Sequence, residues 1–172
     1  AFLDYDNDGY QDLCAVNGAP LPGFESESVP TNALYRNQGD GTFADVTARA
    51  GTGDPGYGMG SCVGDVGNDG HVDLFISAVG RNRLFHNTGK RFEDVTAQAG
   101  VAGAVESWSS SCGFCDYDND GDLDLFVCTY VGWSKDFDLD QKFTLDGKTR
   151  AYGQPQKFPG TFPYLYRNDG NG

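Results

Sequence analysis

Residues Asp116–Asp124 read DYDNDGDLD, and the residues that follow, Leu125–Cys128, read LFVC. Four of the aspartates stand at positions 1, 3, 5 and 9 of this nine-residue stretch, and glycine stands at position 6. An apolar core would not accept so many charges, and without a counter-charge they would repel one another. Calcium resolves that conflict, because it takes about six to eight oxygen ligands from a flexible loop. The glycine lets such a loop turn sharply, so the stretch predicts a calcium-binding loop.

The same pattern occurs twice more in the chain. Residues Asp4–Asp12 read DYDNDGYQD and keep all four carboxylates, whereas residues Asp65–Asp73 read DVGNDGHVD and have Gly67 at position 3. A single acidic run is usually a solvated loop, but three copies with the same spacing are not expected by chance. We therefore predict Ca²⁺ in the two outer loops and regard the middle loop as a degenerate copy.

An EF-hand is the obvious alternative for an acidic calcium loop, but that motif needs a glutamate at position 12 and a helix on each side. Position 12 is Ala15, Ile76 and Val127 in the three loops. Each loop is followed by a short apolar run such as LFISAV, and β-branched and aromatic runs of this kind are typical of strands. The sequence predicts calcium loops that open β-strands, with the aspartate at position 9 as the closing carboxylate.

Composition excludes several classes of protein. The 172 residues suffice for one domain with a core, and the 25 glycines suit short strands and tight turns. The net charge is −13, which three bound Ca²⁺ ions would bring to −7. Nucleic acid is not an expected partner, because the chain has no basic patch to neutralise phosphates. No membrane span is expected either, since no run approaches the roughly twenty apolar residues required.

The chain has five cysteines, an odd number, so at least one is free or pairs outside the chain. Cys112 and Cys115 have the spacing of a redox or zinc motif, but no second such pair exists and no helix follows. Buried thiols or a structural disulfide are the favoured interpretation. Calcium loops of low affinity fill only where calcium is millimolar, which favours an extracellular or periplasmic location.

A second block recurs after each acidic loop. Residues 32–47 read NALYRNQGDGTFADVT, residues 82–96 read NRLFHNTGKRFEDVT, and residues 163–170 begin the block again as PYLYRNDG. Alternating apolar residues around a glycine-containing turn predict a β-hairpin.

The spacing of the blocks predicts the architecture. The first aspartates of successive loops lie 61 and 51 residues apart, room for about four short strands in each interval. Repeats of that length are typical of propeller blades. We predict an all-β fold of about three β-propeller blades of four antiparallel strands, with units at 1–53, 54–103 and 104–172. Three blades cannot close a ring, so other protein segments or further copies of the chain are expected to complete it.

Together the two blocks resemble the FG-GAP/VCBS repeat family, in the branch with ASPIC/UnbV-type and cartilage-acidic-protein-like members, and more distantly the integrin α-subunit propeller. The resemblance covers nearly the whole chain and implies a seven- or eight-bladed extracellular β-propeller with Ca²⁺ in the blade loops. The ligands that it implies are Asp4, Asp6, Asp8, Asp12 and the Tyr10 carbonyl in the first loop, Asp65, Asp69, Asp73 and the His71 carbonyl in the middle loop, and Asp116, Asp118, Asp120, Asp124 and the Asp122 carbonyl in the third. Gly67 removes one ligand, so the middle loop is expected to bind more weakly.

Residues 130–162 interrupt the repeat. The interval from position 9 of the loop to the hairpin leucine is 41 residues here, against 22 and 11 in the other units. After Tyr130, its first residue, the insertion carries six aromatic and five basic residues: Trp133, Phe137, Phe143, Tyr152, Phe158, Phe162, Lys135, Lys142, Lys148, Arg150 and Lys157. It either covers a neighbouring blade or provides a contact surface for a glycan or protein ligand. Its run Asp136–Asp140 imitates an acidic loop, but Gln141 stands where glycine should, which argues against calcium there.

We predict no enzyme. Residues 51–56, GTGDPG, match a dinucleotide-binding pattern by letters alone, because neither the strand nor the helix of that motif is present. His86 stands where Arg36 and Arg167 stand in the sister hairpins and is interpreted as a surface variant. The aspartates belong to repeated loops, which favours a structural role.

We expect a secreted calcium-binding module for adhesion, protein interaction or assembly; the alternatives are a lectin-like glycan-binding propeller and a non-catalytic part of a larger secreted enzyme.

Overall fold

The computed structural model describes residues 1–19, 28–151 and 153–170. Over these described residues the fold is all-β, with three short helices and one 3-10 turn between the strands. The elements are β1 (Phe2–Leu3), β2 (Asp12–Ala15), β3 (Ala33–Asn37), β4 (Phe43–Asp45), α1 (Thr47–Ala50), β5 (Tyr57–Gly64), β6 (Asp73–Val79), β7 (Arg83–Asn87), β8 (Phe92–Asp94), α2 (Thr96–Ala99), β9 (Ser107–Cys115), β10 (Asp124–Gly132), α3 (Lys135–Asp140), the 3-10 turn Pro155–Lys157 and β11 (Tyr164–Tyr166). No helix in these residues is long and apolar enough to cross a membrane.

The strands form two antiparallel sheets. The first sheet has four strands in the order β1-β2-β3-β4, and the second has seven. The second sheet is two successive repeats, β5–β8 and β9–β11, which are joined by the single pair of Val79 on β6 and Trp108 on β9. We call β1–β4, β5–β8 and β9–β11 the first, second and third units. Across the described residues both sheets are open.

Strands follow the acidic loops directly, as predicted. The aspartate at position 9 of each loop, Asp12, Asp73 or Asp124, is the first residue of β2, β6 or β10. The predicted hairpins also form, because β3 pairs with β4 and β7 pairs with β8. Each hairpin ends at an aspartate two residues before the threonine that closes the block, and a helical turn follows.

That helical turn has a local cause. The Asp45 carboxylate accepts hydrogen bonds from the backbone N–H of Thr47, at 2.9 Å, and from its hydroxyl, at 2.6 Å. These bonds hold the pKa of Asp45 below its ordinary value. The turn ends at Gly51, whose φ of 81° is the left-handed conformation that glycine adopts without strain. The same pattern recurs at Asp94 and Thr96.

The acidic run of the insertion is not a loop. Residues 136–140 lie in α3, where the hydroxyl of Ser134 accepts a hydrogen bond from the N–H of Phe137 at 3.3 Å. Aspartates in the first helical turn are favoured by the helix dipole. Asp138 pairs with Arg150, so this carboxylate already has a protein counter-charge. The run therefore resembles a calcium loop in its sequence but not in its structure.

The core lies between the units. Leu74 and Ile76 on β6 pack with Leu34 of the first unit, whereas Phe75 packs with Leu125 and Val127 of the third unit. Successive side chains of a strand point to opposite faces of its sheet. The continuous apolar run of β6 is thus explained, because this strand is covered on both faces. The units stack face to face, with the acidic loops at one end of the strands.

Candidate metal centres

The backbone of the acidic loops is shaped by two residues with positive φ. In the third loop φ is 60° at Asn119 and 94° at Gly121, and the other two loops have the same pair of conformations. Asparagine tolerates this region better than most residues, and glycine adopts it freely. The two reversals let side chains at alternate positions converge. Glycine was the predicted turn residue; the asparagine at position 4, present in all three copies, is a signal that the sequence interpretation missed.

Carboxylates inside each loop hold this shape. Asp4 at position 1 accepts hydrogen bonds from the N–H groups of Asp8, at 3.0 Å, and Gly9, at 2.8 Å. Asp65 and Asp116 make the equivalent bonds in their own loops. The loop conformation is therefore encoded by the sequence itself, and a cation would meet ligands that are already in place.

The outer loops bring three carboxylates together. Oxygen atoms of Asp4, Asp6 and Asp8 lie within 4.8 Å of one another, and so do oxygens of Asp116, Asp118 and Asp120. Two oxygens on opposite sides of a calcium ion lie about 5 Å apart, because each calcium–oxygen distance is about 2.4 Å. The spacing of both clusters therefore fits a calcium ion.

Two further observations in these clusters favour a cation. Oδ1 of Asp6 is buried and has no hydrogen-bond partner among the described residues, which is costly for a carboxylate oxygen. In the third loop, desolvation raises the pKa of Asp118 above its ordinary value, and the charges of Asp120 and Asp124 raise it further. A divalent cation would satisfy the unpaired oxygen and relieve the repulsion.

Arginines from the hairpins lie beside the outer clusters. Arg36 on β3 donates hydrogen bonds to Asp6 and Asp8, both at 2.5 Å. Arg167, at the same place in the third unit, lies 3.8 Å from Asp118 and also pairs with Asp169. These guanidinium groups supply part of the positive charge that the clustered carboxylates require.

The middle loop is built differently. His86 takes the place of the arginine, and its Nδ1 lies 3.0 Å from Oδ1 of Asp73 while its Nε2 lies 3.7 Å from Oδ2 of Asp69. A Cβ atom on Gly67 would lie 3.6 Å from the His86 ring, so the imidazole fills the space beside the missing carboxylate. Within the described chain this loop forms no cluster of three ligands. His86 is therefore part of the loop's interactions, and its interpretation as a surface variant is wrong.

The aspartate at position 9 has a role that the sequence did not reveal. The Asp124 side chain is fully buried; its Oδ2 accepts the N–H of Tyr117 at 3.0 Å, and its Oδ1 accepts the N–H of Asn168 at 2.8 Å. Asp12 and Asp73 make the equivalent pairs of bonds. Burial raises the pKa of Asp12, although its two N–H partners act in the opposite direction. Each of these carboxylates ties its loop to the hairpin of the same unit.

Metal ligation by these buried aspartates, and by the carbonyl groups of Tyr10, His71 and Asp122, stays a prediction. Each carboxylate oxygen has a second lone pair, so the backbone hydrogen bonds leave room for a metal bond.

Asparagine side chains link one unit to the next. Nδ2 of Asn68 donates to Oδ1 of Asp122 at 2.6 Å, which joins the second and third loops. Nδ2 of Asn7 donates to the carbonyl oxygen of Gly70 at 3.0 Å, which joins the first and second. The repeated loops therefore form a continuous row along one end of the stacked units.

The cysteines form no disulfide within the described chain. Cys112 and Cys115 are three residues apart on β9, and successive residues of a strand face opposite ways, so these two side chains lie on opposite faces and cannot pair. Cys112 instead lies against Cys62 of the neighbouring unit. The interaction between the two thiols and their burial both raise the pKa of Cys62, whereas the same interaction lowers the pKa of Cys112 against the effect of burial. A redox or zinc motif of the C-x-x-C type is not formed.

Comparisons with known proteins place these loops in a wider context. A model of the FG-GAP-like repeat matches residues 4–76 and 68–127, which include all three acidic loops. Cartilage acidic protein 1 of Homo sapiens is 36% identical over 108 residues, or 59% of this chain and 16% of that protein. Cartilage acidic protein 1 of Xenopus tropicalis is 33% identical over 117 residues, or 64% and 18%. The chain thus spans less than a fifth of the length of these relatives.

Proposed function

The chain belongs to the FG-GAP-like repeat family, and on that basis we propose that it is a calcium-stabilised part of an extracellular β-propeller that serves protein interaction, adhesion or assembly. The propeller is favoured by the face-to-face stacking of the units, because β6 is covered on both faces. The ring would have seven or eight blades, completed by other protein segments or by further copies of the chain.

The observation that carries the calcium proposal is the buried Oδ1 of Asp6, which has no partner among the described residues although it lies in a cluster of three carboxylates. When bound, Ca²⁺ would supply the positive charge that lets these carboxylates remain together. Asp4, Asp6 and Asp8 would hold it in the first loop, and the corresponding aspartates would hold it in the third. Because the ions bind the folded loops, their binding free energy adds to the stability of the fold.

The extracellular location rests on two arguments. The relatives carry the name cartilage acidic protein 1, and this chain shares the acidic character with a net charge of −13. Exposed calcium loops of modest affinity fill where calcium is millimolar, as it is outside cells. We propose no catalytic role, because the clustered aspartates serve the repeated loops.

Thermal unfolding with and without calcium tests the proposal. Two sites at a calcium concentration of about 100 times Kd contribute roughly 5 kcal/mol. For a domain of this size, that free energy raises the melting temperature by about 10–20 °C. For two sites with a Kd of roughly 0.1 mM, we expect 10 mM CaCl₂ to produce such a rise over EGTA and calorimetric titration to show two sites of this affinity. A melting temperature that is the same in CaCl₂ and EGTA would contradict the proposal.

Variants distinguish the loss of a metal ligand from the loss of a negative charge elsewhere in the chain. The double variant Asp6→Asn and Asp118→Asn should lose most of the calcium-dependent rise. Asp146→Asn removes a charge from an exposed turn of the insertion and should keep the full rise. An Asp69→Ala variant reports on the middle loop, because calcium stoichiometry that does not change would rule out a site there.

A further inference from the structure

A second site lies at the end of the strands opposite the acidic loops. A cavity of about 610 Å³ opens between the second and third units. Its walls come from the first residue of β5, the last residue of β6, the beginning of β9, the end of β10 and the insertion. Cavities of this size hold small ligands or a few units of a polymer.

Aromatic rings form one wall of this cavity, which we call the aromatic groove. The Trp108 ring makes edge-to-face contacts with Tyr130, at a centroid distance of 5.8 Å, and with Trp133, at 6.1 Å. Tyr130 is 51% exposed although it belongs to a strand, so its ring is open to a ligand. The edge-to-face arrangement fixes the rings with some of their flat faces free. Flat aromatic faces of this kind pack well against the C–H face of a sugar ring.

Charged side chains from the insertion, those of Lys135, Asp138 and Arg150, also line the groove. Lys135 is exposed and makes no ion pair among the described residues, while Arg150 pairs with Asp138. The three groups give the groove a net positive charge on a chain that is otherwise strongly acidic. Arg150 has five N–H donors, so it keeps several for a ligand while it is bonded to Asp138. The groove is therefore suited to an anion that also offers a ring to stack.

The acidic loops do not forbid an anionic ligand in this place. Trp108 precedes Asp116 by eight residues along β9, which corresponds to roughly 26 Å of extended strand. Electrostatic interactions in physiological salt are screened over about 8 Å. The ligand would therefore feel Lys135, Arg150 and Asp138, which carry a net positive charge, rather than the distant aspartates of the acidic loops.

Another large depression in the described part of the chain lacks this combination. It measures about 990 Å³ and lies beside β4 and α1 of the first unit. Among the residues of the described chain that line it there is no aromatic ring, and its Arg36 is already bonded to Asp6 and Asp8.

We propose that the aromatic groove binds an acidic saccharide, with a sugar ring stacked on Trp133 or Tyr130 and a carboxylate or sulfate held by Lys135 and Arg150. The proposal gives the interaction module a ligand class and rests on that proposed role, but it does not depend on calcium in the loops. The insertion thus acts as the part of the repeat that recognises the ligand, as long loops on a rigid scaffold often do.

Calorimetric titration of the chain in 1 mM CaCl₂ tests the proposal with four probes. Hyaluronan hexasaccharide alternates N-acetylglucosamine with glucuronate, a heparin hexasaccharide adds sulfates, and chitohexaose has N-acetylglucosamine without any charge. Poly-L-glutamate offers carboxylates without a sugar ring. We expect at least one of the acidic saccharides to bind and chitohexaose and poly-L-glutamate to bind much more weakly. Binding of hyaluronan would show that a carboxylate is sufficient, whereas binding of heparin alone would show that sulfate is required.

Matched variants locate the binding. Trp133→Ala should weaken it about tenfold through loss of stacking. Lys135→Gln should weaken it up to about fivefold through loss of one exposed charge contact. The controls are Phe162→Ala, an exposed ring outside the groove, and Lys90→Gln, an exposed charge on the second unit; both should bind like the wild type.

Three results would overturn the assignment: no binding of either acidic saccharide, equal binding of poly-L-glutamate, or equal losses in the control variants. The melting temperature of each variant in calcium shows whether it is folded. A protein whose stability responds to calcium but which binds no acidic saccharide overturns this inference and leaves the proposed calcium role standing.

Discussion

At the scale of single residues, the position-9 aspartate has the largest structural role in the acidic loop. Asp124 accepts one N–H from its own loop, that of Tyr117, and one from the segment just after β11, that of Asn168. A buried charge is stable only when it is paired or hydrogen-bonded, and both oxygens of this carboxylate are. The residue therefore stabilises the unit whether or not a metal is present.

This conclusion predicts the effect of Asp124→Ala in EGTA. Two backbone N–H groups would lose their acceptor, so the free energy of unfolding should fall by roughly 2–4 kcal/mol. Urea denaturation in the absence of calcium measures the change without any contribution from ligation. Glu106→Ala, which removes an exposed carboxylate outside the loops, is the control and should change stability little. A loss for Asp124→Ala that appears only in calcium would mean that the residue acts solely as a metal ligand.

At the scale of elements, the loop depends on backbone conformations that most side chains avoid. Gly121 has a φ of 94° and open space where a Cβ would lie, so only the backbone conformation resists a larger residue there. Gly113 on β9 also has open space around its Cβ position but no positive φ. Alanine variants at these two glycines therefore differ in backbone strain alone, because neither added Cβ would meet another atom.

We predict that Gly121→Ala lowers the free energy of unfolding by about 1–2 kcal/mol, the cost of a left-handed conformation for alanine. Gly113→Ala should be neutral or slightly stabilising, because alanine restricts the unfolded chain more than glycine does. Chemical denaturation of both variants in EGTA measures the difference. Equal effects would show that the loop can relax to another conformation.

Local patterns in the sequence were enough to predict these elements. Repeated Asp spacing indicated the loops, apolar runs indicated β2, β6 and β10, and alternation around a glycine turn indicated the hairpins. The helical conformation of residues 136–140 was missed, although the cap from Ser134 to the N–H of Phe137 and the aspartates of the first turn are local signals of a helix start. Only the pairing of Asp138 with Arg150 depends on the path of the insertion. The part that Tyr152 plays in that insertion lies outside the described residues.

Other features of the candidate site could not be read from the sequence because they join distant parts of the chain. The contact of His86 with Asp73 spans 13 residues, and the bond from Asn168 to Val66 spans 102. Their residue types are visible in the repeats, but their partners depend on how the units stack. Sequence periodicity therefore predicts each unit better than it predicts the interface between units.

At the scale of the whole molecule, the interfaces between units combine apolar stacking with a repeated polar link. Nδ2 of Asn87, in the second unit, donates to the carbonyl oxygen of Tyr5 in the first unit at 2.8 Å and to that of Val72 at 3.2 Å. Asn168 repeats the link from the third unit to Val66 of the second. Asn37 stands at the same position of the first unit, and its Nδ2 donates to Gln11 of its own loop at 3.1 Å.

This repetition provides a matched test of cooperation between units. Asn87→Ala leaves the buried carbonyl of Tyr5 without its partner, so the free energy of unfolding should fall by about 1–3 kcal/mol. Asn37→Ala removes the equivalent bond within one unit at a more exposed position and should cost less. Hydrogen exchange should show faster opening of β1–β4 in Asn87→Ala, because the first unit would be less firmly attached to the second. If both variants lose the same stability and the first unit exchanges no faster, the asparagine link serves each unit separately, and stacking alone couples the units.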